Sequence, residues 1–290
     1  MASSRRTATP PSFGLHVHVT PNSRPFPRAD DATHYDEIWG KDNIHIGYYP
    51  HLTDRSAPEL NFQAAAVQIT NRLIELGDIS HDSRVLDLGC GKGIACAQIA
   101  ELTGAQCTGL DLSPANIDRA NDLAASRPDL KMDFLEGSFT ELPASLHGKY
   151  THIISQEAFS HIHAELPTIF EECKLALAPG GKLVINDYLG ADGEVSEVTQ
   201  REVYKRLGFT VLYGHKDWRR VAENSGLELL HYENVDCHMA HGYSQLAEMA
   251  AAHDFTSADG TPLAQNYLSS AKAALNSEIG MNLALYTVKN

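Results

Sequence analysis

The 290-residue sequence is 43% hydrophobic, which is enough to bury the core of one large domain or two small ones. Its 23 basic and 37 acidic residues give a formal net charge of −14, so we expect no nucleic-acid partner, because an acidic surface repels phosphates. Five cysteines without a C-x-x-C pair are typical of reduced thiols in a cytoplasmic protein. No apolar segment approaches the roughly 20 residues that span a bilayer, so we expect a soluble protein with no membrane partner.

The beginning of the chain differs in composition from the rest. Residues 1–29 contain four arginines, no acid and many Ser, Thr and Pro residues, a mixture that favours disorder. An organelle transit peptide is the alternative, although the segment has no clear amphipathic period. We therefore expect a disordered tail over 1–30, followed by a single domain over 31–290.

Apolar residues from Leu60 to Leu76 recur at steps of three and four, which predicts a helix that Gly77 ends. Beyond it, short β-rich runs alternate with helical patterns, and Ser113 followed by Pro114 marks one helix start. The predicted strands are 84–88, 106–110, 131–136, 150–155, 182–187, 227–235 and 282–288. The predicted helices between them are 94–102, one that begins after Ser113, 166–177 closed by Pro179-Gly180-Gly181, 195–207 and 218–224.

This alternation predicts an α/β fold with a mostly parallel, doubly wound, Rossmann-like sheet. The segment 236–280 is rich in His, Ala and Ser and contains no second glycine-rich turn, so it predicts inserted helices.

A glycine-rich turn follows the first predicted strand, in VLDLGCGKG over 85–93. Gly89, Gly91 and Gly93 permit positive φ and a close approach of backbone N–H groups to a ligand, at a helix start that favours negative charge. Alternating glycines of this kind are found in dinucleotide binders, in adenosylmethionine binders and in plain tight turns.

Two aspartates narrow the choice of ligand. Asp111 ends the second strand in GLDLS, 24 residues after Asp87, where a carboxylate can accept both hydroxyls of a ribose. Asp87 lies inside the turn motif, where a carboxylate would repel a pyrophosphate but tolerate the positively charged amino group of a methionine moiety. The turn also has G-x-G-x-G spacing, which disfavours an NAD-dependent dehydrogenase.

VLDLGCGKG, GLDLS, GSFTELP at 137–143 and LAPGGKLVI at 177–185 together resemble the class I S-adenosylmethionine-dependent methyltransferases. The resemblance implies a seven-stranded sheet whose last strand is antiparallel, with adenosylmethionine as cofactor and adenosylhomocysteine as product. By that resemblance Asp111 binds the ribose, Gly89 and Gly91 face the methionine part, and Ser138 and Phe139 flank the adenine. Many members carry Asp in place of Ser138, so a hydrogen bond to the adenine amino group is not implied. The expected cofactor-binding residues are Asp87, Gly89, Gly91, Asp111, Leu112, Ser138, Phe139 and Gln156.

SQEAFSHIH at 155–163 follows the fourth strand and therefore lies at the ligand-binding edge of such a sheet. Glu157 and His161 would share one face if this turn were helical, and either could act as a catalytic base or hold an amine. The alternative is that both cap the next helix or face solvent. His163 is expected to be an exposed neighbour.

THYDEIWGKDNIHIGYYP at 33–50 is rich in aromatic residues, which favours a lid over 31–58 that folds over the cofactor. Aromatic faces exclude water and can hold a cationic methylammonium group. A hydrophobic latch on the sheet edge is the alternative reading. The expected substrate-binding residues are Tyr35, Trp39, His45 and Tyr48 from this segment and Tyr188 after the fifth strand, while His215 and Trp218 are weaker candidates.

IWGKDNIHIGYY together with SQEAFSH is similar to the sarcosine and dimethylglycine N-methyltransferases, while an acid and a histidine at 157 and 161 also resemble C-methyltransferases. We therefore expect methylation of a small metabolite, with an amine nitrogen as the favoured acceptor. The alternatives are C- or O-methylation of a terpenoid, phenol or polyketide, and an adenosylmethionine-binding protein without transferase activity. A monomer or a homodimer is expected. Despite 15 histidines no metal is expected, because neither His16-x-His18 nor His238-x-x-His241 has further ligands at suitable spacing.

Overall fold

The computed structural model describes residues 37–40, 43–257 and 260–289, so the predicted tail over 1–30 lies outside the described residues. Seven strands form a single sheet in the order β3-β2-β1-β4-β5-β7-β6. Their bounds are β1 Arg84–Leu88, β2 Gln106–Asp111, β3 Met132–Glu136, β4 Tyr150–Gln156, β5 Leu177–Gly190, β6 Leu227–Asn234 and β7 Ile279–Val288. The first five strands pair in parallel, whereas β7 is antiparallel to both β5 and β6.

Helices cover both faces of the sheet. They are α1 Phe62–Gly77, α2 Ile94–Thr103, α3 Pro114–Ser126, α4 Leu166–Ala176, α5 Glu197–Thr199, α6 Lys205–Leu207, α7 His215–Asn224, α8 Asp236–Ala251 and α9 Leu263–Leu275. Side chains from α1, α2, α3, α8 and α9 form the core on one face, and α4 and α7 form the core on the other. None of the helices in the described part of the chain is long and apolar enough to cross a membrane.

Local sequence signals explain most helix ends. Ser113 caps α3 by accepting a hydrogen bond from the Asn116 N–H, and Pro114 occupies the first turn, as predicted. Helix α1 differs slightly from its prediction, because Gly77 is its last residue and Asp78 takes the left-handed conformation that ends it, with φ of 57°. Gly77 is needed for packing, since a Cβ there would lie 3.1 Å from Val184 Cγ2.

The helix predicted over 166–177 ends at Ala176, before Pro179-Gly180-Gly181, but the predicted start of the next strand at 182 is wrong. β5 begins at Leu177, which pairs with Tyr150, and the pairing resumes at Lys182 opposite His152 after a register shift. Gly180 has a φ of +75°, so the Pro-Gly-Gly segment forms a bulge within the strand. The predicted helix over 195–207 is three joined pieces, in which the π-turn Gln200–Tyr204 connects α5 to α6. The inserted helices predicted within 236–280 are α8 and α9.

Candidate active site

The parallel strands bring the predicted cofactor residues to one edge of the sheet. β1, β2 and β4 end at Leu88, Asp111 and Gln156, and the glycine turn leads from β1 directly into α2. The N–H groups of Gly89 and Cys90 donate to the Leu110 carbonyl at 2.8 and 3.1 Å, which fixes the turn against the end of β2. Residues that are far apart in the sequence therefore meet because parallel strands share a carboxyl edge.

The three glycines of the turn all have positive φ, but they serve different purposes. A Cβ at Gly89 would lie 2.5 Å from Ala158 Cβ, and one at Gly93 would lie 2.6 Å from the Phe134 ring. A Cβ at Gly91 would meet no atom within 4 Å. Gly89 and Gly93 are therefore required by packing, whereas Gly91 is the glycine whose backbone faces open space.

The Asp111 carboxylate is held in place by its own loop. Its Oδ2 accepts the Gly91 N–H at 2.9 Å, and its Oδ1 accepts the Ser113 N–H at 2.9 Å and the Asn116 amide at 3.2 Å. A carboxylate has about four lone-pair sites, so three donors orient it and leave capacity for a ligand hydroxyl. Asp111 thus connects the glycine turn to the start of α3.

Asp87 is the buried acid of the site. Burial raises its pKa to about 6, and the nearby His45 opposes this shift. The Cys96 thiol donates to its Oδ2 at 3.4 Å. Because this donor is neutral, a positively charged ligand group at the turn would stabilise the ionised carboxylate.

The remaining predicted cofactor residues lie along the same edge. Leu112 is 73% exposed, and the Phe139 ring packs on Phe159 at a centroid distance of 5.2 Å. The Ser138 Oγ accepts the Thr140 N–H at 3.2 Å, so it shapes its own loop. Gln156 is buried, its Oε1 accepts from Thr70 at 3.2 Å, and its Nε2 has no hydrogen-bond partner within the described ranges.

Glu157 has an unusual backbone conformation and holds the N-terminal segment. Its φ is 53°, and its N–H donates to the Asn186 carbonyl at 2.8 Å. Its Oε1 accepts the Ile46 N–H at 2.8 Å and lies 3.5 Å from His45 Nδ1. The predicted lid therefore crosses the site at residues 45 and 46, secured by the residue predicted as catalytic base.

The turn after Glu157 is a 3₁₀ helix, Phe159–Glu165, instead of an α-helical turn. His161 lies in it, and burial lowers its pKa against the opposing effect of Glu157, so the imidazole is neutral at pH 7. The prediction that His163 is exposed is wrong. His163 is buried and its Nδ1 accepts the Tyr213 N–H at 2.8 Å, because that backbone donor would otherwise lack a partner.

An aromatic wall adjoins Glu157 and His161. It consists of five buried residues, Trp39, Tyr188, Phe209, Tyr243 and Tyr267. The hydroxyls of Tyr188 and Tyr243 are 2.8 Å apart, and the Trp39 indole donates to the Tyr267 hydroxyl at 2.9 Å. Phe209 links the wall to the site, with ring centroids 5.4 Å from Tyr188 and 6.0 Å from His161.

Several predicted contacts lie elsewhere. The Tyr48 ring stacks on His238 at 4.2 Å and its hydroxyl donates to Glu233 at 3.0 Å, so Tyr48 packs beside the edge strand β6 and away from the aromatic wall. Trp218 is a core residue, packed on Phe170 with ring centroids 5.8 Å apart. Tyr35 lies outside the described residues.

Sequence reasoning missed Asp187 and the two tyrosines of the insertion, Tyr243 and Tyr267. Asp187 is fully buried and its Oδ2 accepts the N–H groups of Phe159 and Ser160 at 2.8 and 3.3 Å. An acid at the end of the apolar run LVIND was the available signal for Asp187. No local pattern marked the tyrosines, because their partners are more than 50 residues away in the chain.

Comparison with known proteins identifies the domain that carries this site. Residues 85–181 match the family model of a methyltransferase domain. This part of the chain is a methyltransferase domain. The seven-stranded sheet with an antiparallel last strand is confirmed. The family match supports the predicted S-adenosylmethionine-dependent methyltransferase.

Relatives of this methyltransferase domain include enzymes with different acceptors. The glycine/sarcosine/dimethylglycine N-methyltransferase of Actinopolyspora halophila is 24% identical over 246 residues, 83% of this chain and 41% of the relative. The chain thus spans about two fifths of that protein. The 27-O-demethylrifamycin SV methyltransferase of Amycolatopsis mediterranei (strain S699) is 27% identical over 220 residues, 73% of this chain and 76% of the relative.

A solved structure of a proposed sarcosine dimethylglycine methyltransferase from Galdieria sulphuraria has the same fold. It superposes on this chain with a TM-score of 0.74 at 22% identity, covering 89% of this chain and 97% of that structure.

The edge of the methyltransferase domain fits adenosylmethionine. Gly91 leaves open space beside its backbone, and Asp111 is oriented with capacity for further donors. Asp87 is a buried acid next to the turn, and the exposed Leu112 offers an apolar surface for a base. These features match the chemistry of the cofactor: open space for its methionine part, an acceptor for its ribose, a carboxylate for its ammonium group and an apolar face for its adenine.

Proposed function

We propose that the protein is an S-adenosylmethionine-dependent methyltransferase that methylates the nitrogen of a small amine, of the sarcosine and dimethylglycine kind. The observation that carries this proposal is the position of Glu157 between the glycine turn and the aromatic wall. Ala158, the next residue, lies where a Cβ of Gly89 would be, and His161 connects through Phe209 to Tyr188.

Bound cofactor supplies an electrophilic methyl group on a sulfonium sulfur. In this proposal Asp111 accepts a ribose hydroxyl, Gly91 lies against the methionine part, and Asp87 pairs with its ammonium group. Leu112 and Phe139 contact the adenine, while Ser138 shapes the loop and Gln156 supports the strand end below the turn.

The aromatic wall suits a cationic acceptor. In this proposal the ring faces of Trp39, Tyr188 and Tyr243 contact a methylated ammonium group, each contributing about 0.5–2 kcal/mol. Burial raises the pKa of Tyr243 to about 12; the positive charge of Arg206 opposes this shift and the negative charge of Glu157 adds to it, so both charges lie near the wall. These features favour an amine over an anionic acceptor, in line with the overall charge of −14.

An ammonium acceptor must lose a proton before its nitrogen can attack a methyl carbon. The contacts of Ile46 and His45 both fall on Oε1 of Glu157, so Oε2 is the oxygen proposed to take that proton. His161, neutral at pH 7, is the second acceptor for it. His45 is proposed to orient Glu157.

The wall is closed in this structure, with exposed fractions from 1% for Tyr243 to 8% for Phe209. Clefts at the surface lie elsewhere, one at the amino ends of β1, β2 and β4 and one between α4 and α7. We propose that an acceptor enters when the segment over 43–49 moves and the Ile46–Glu157 hydrogen bond breaks.

An O-methyltransferase is the second candidate, because the chain also matches 27-O-demethylrifamycin SV methyltransferase at 27% identity over 76% of that relative. Adenosylhomocysteine release with glycine, sarcosine and dimethylglycine, against phenols and polyketide hydroxyls, distinguishes the two. We expect turnover with the amines. Turnover with the hydroxyl compounds alone would contradict the amine proposal and favour the O-methyltransferase. If calorimetry shows cofactor binding but no acceptor is methylated, both proposals are contradicted.

A further inference from the structure

Two histidines and an acid meet outside the candidate active site, where the N-terminal segment crosses helix α8. His51 lies in the 3₁₀ turn Pro50–Leu52, Glu59 precedes α1, and His241 lies on α8. One potential ligand atom from each lies within 4.8 Å of the other two. The rings of His51 and His241 are 5.3 Å apart at an angle of 75°.

This set of side chains has the chemistry of a transition-metal site. Two imidazoles and one carboxylate are a donor set that zinc binds, with an open fourth position for water. With metal–ligand distances of about 2.0–2.2 Å, tetrahedral ligand atoms lie about 3.3 Å apart, so the three must close by up to about 1.5 Å. Glu59 is exposed and the two histidines are half-buried, so their side chains have room for this movement.

His238 and His241 belong to the same His-x-x-His motif, but their hydrogen-bond partners differ. His238 is committed to the fold, since its Nδ1 accepts the Tyr49 N–H at 2.9 Å. The Nδ1 of His51 is buried and has no hydrogen-bond partner in the part of the chain that is described. A buried imidazole nitrogen without a partner costs free energy, and coordination at this ring would offset it.

Gln245 holds the two sides of the cluster together. Its amide donates to the Leu60 carbonyl at 3.0 Å and lies 3.4 Å from His241 Nε2, while its Oε1 accepts from the Tyr49 hydroxyl at 3.2 Å. Metal binding at His241 Nε2 would replace this contact with the Gln245 amide nitrogen.

We propose that His51, Glu59 and His241 form a binding site for a divalent transition metal of the zinc class. The metal fastens the segment over 51–59 to helix α8 of the insertion. It thereby adds a constraint on the N-terminal segment at a point separate from the Ile46–Glu157 contact.

Calorimetric titration of the full-length, chelator-treated protein with zinc chloride tests this proposal. We expect one tight site per chain, weakened at least tenfold by Glu59→Gln, His51→Ala or His241→Ala. His81→Ala is the matched control, because His81 also faces a carboxylate, Asp82, at 3.3 Å, but on an exposed surface. Removal of the tail pair by His16→Ala with His18→Ala is expected to leave the tight site intact.

Cobalt(II) provides a second measurement, since a four-coordinate site gives visible absorption that Glu59→Gln should abolish. Tight zinc binding that persists in the Glu59, His51 and His241 variants, or that disappears with the tail pair, would overturn the proposal. So would zinc binding no tighter than that of free imidazole. If His241→Ala does not fold, the Glu59→Gln variant still tests the proposal, because Glu59 is exposed and its substitution should not prevent folding. No cofactor or acceptor is present in these titrations, so their outcome does not depend on the proposed methyl transfer.

Discussion

The two halves of the candidate site are built differently. On the cofactor side, the glycine turn, Asp111 and α3 are tied together by backbone hydrogen bonds within a short stretch of chain. On the acceptor side, the aromatic wall joins Trp39, Tyr188, Tyr243 and Tyr267 through contacts that span up to 228 residues. The first half is fixed by local geometry and the second by tertiary packing.

This difference assigns separate roles to the two sides. A rigid, locally determined turn holds a ligand whose shape does not vary. A wall made by an insertion and an N-terminal segment can be rebuilt without disturbing the sheet, which suits the choice of acceptor. Substitutions on the cofactor side should therefore change cofactor affinity, and substitutions on the acceptor side should change turnover or KM for the acceptor.

Glu157→Gln should have the largest effect. Glutamine keeps an oxygen for the Ile46 N–H but cannot take a proton, so we expect turnover to fall by roughly 10²–10⁴-fold with cofactor affinity nearly unchanged. Steady-state kinetics and calorimetry measure the two quantities. Glu165→Gln, an exposed acid on the same 3₁₀ helix, serves as the control. An equal loss of turnover and cofactor affinity would mean that Glu157 only positions the lid.

Gly89→Ala and Gly91→Ala form a matched pair on the cofactor side. At Gly89 the positive φ and the overlap with Ala158 should cost about 3 kcal/mol of unfolding free energy. At Gly91 the cost should be only about 1–2 kcal/mol of strain, but the added methyl group fills open space beside the proposed ligand and should weaken cofactor binding about tenfold or more. Urea unfolding and adenosylhomocysteine titration test this division. Equal stability of the two variants would contradict it.

Asp111→Asn should weaken cofactor binding by about 1–3 kcal/mol, because the amide has no negative charge and replaces one acceptor oxygen with a donor. Asp122→Asn, an exposed acid on α3, should have no effect on affinity. Calorimetric titration with adenosylhomocysteine compares the two. Unchanged affinity in the Asp111 variant would place the ribose elsewhere.

Asp187 should make the unfolding free energy of the protein depend on pH. Burial raises its pKa to about 7, above the ordinary value of 3.8 that it takes when unfolded. Between those values the native state holds a proton that the unfolded state lacks, so this residue lowers stability as pH rises, by up to about 1.4 kcal/mol per pH unit. Asp187→Asn should flatten the fall in unfolding free energy between pH 5 and 7. The same slope in both proteins would show that Asp187 is ionised throughout.

Sequence reasoning predicted the strands and the helix cap on the cofactor side because their signals are local. The strand Arg84–Leu88 and the cap at Ser113 were read from adjacent residues, and parallel pairing then fixes where Asp111 must lie. The class I fold follows from the order of these units.

The predictions are wrong where contacts with residues distant in the sequence determine the local structure. The strand after Pro179-Gly180-Gly181 is predicted to start at 182, but pairing of β5 with β4 on both sides of the bulge keeps the strand continuous. His163 is polar and was expected outside, yet the Tyr213 N–H, 50 residues away, needs its ring nitrogen. The helices α8 and α9 were predicted as an insertion, but their contribution to the aromatic wall depends on packing that no local pattern encodes.

Tyr188→Phe and Tyr243→Phe should have the smallest effect and the most specific one. Each change removes one partner of the 2.8 Å hydroxyl pair and should cost about 1 kcal/mol of unfolding free energy. The double variant should cost less than the sum of the single variants, with a coupling energy of about 0.5–1.5 kcal/mol, because the same hydrogen bond is lost only once. If the wall belongs to the acceptor alone, KM for the amine should change while adenosylhomocysteine affinity stays constant. A change in adenosylhomocysteine affinity as large as the change in KM would show that the aromatic wall couples the cofactor side of the site to the acceptor side.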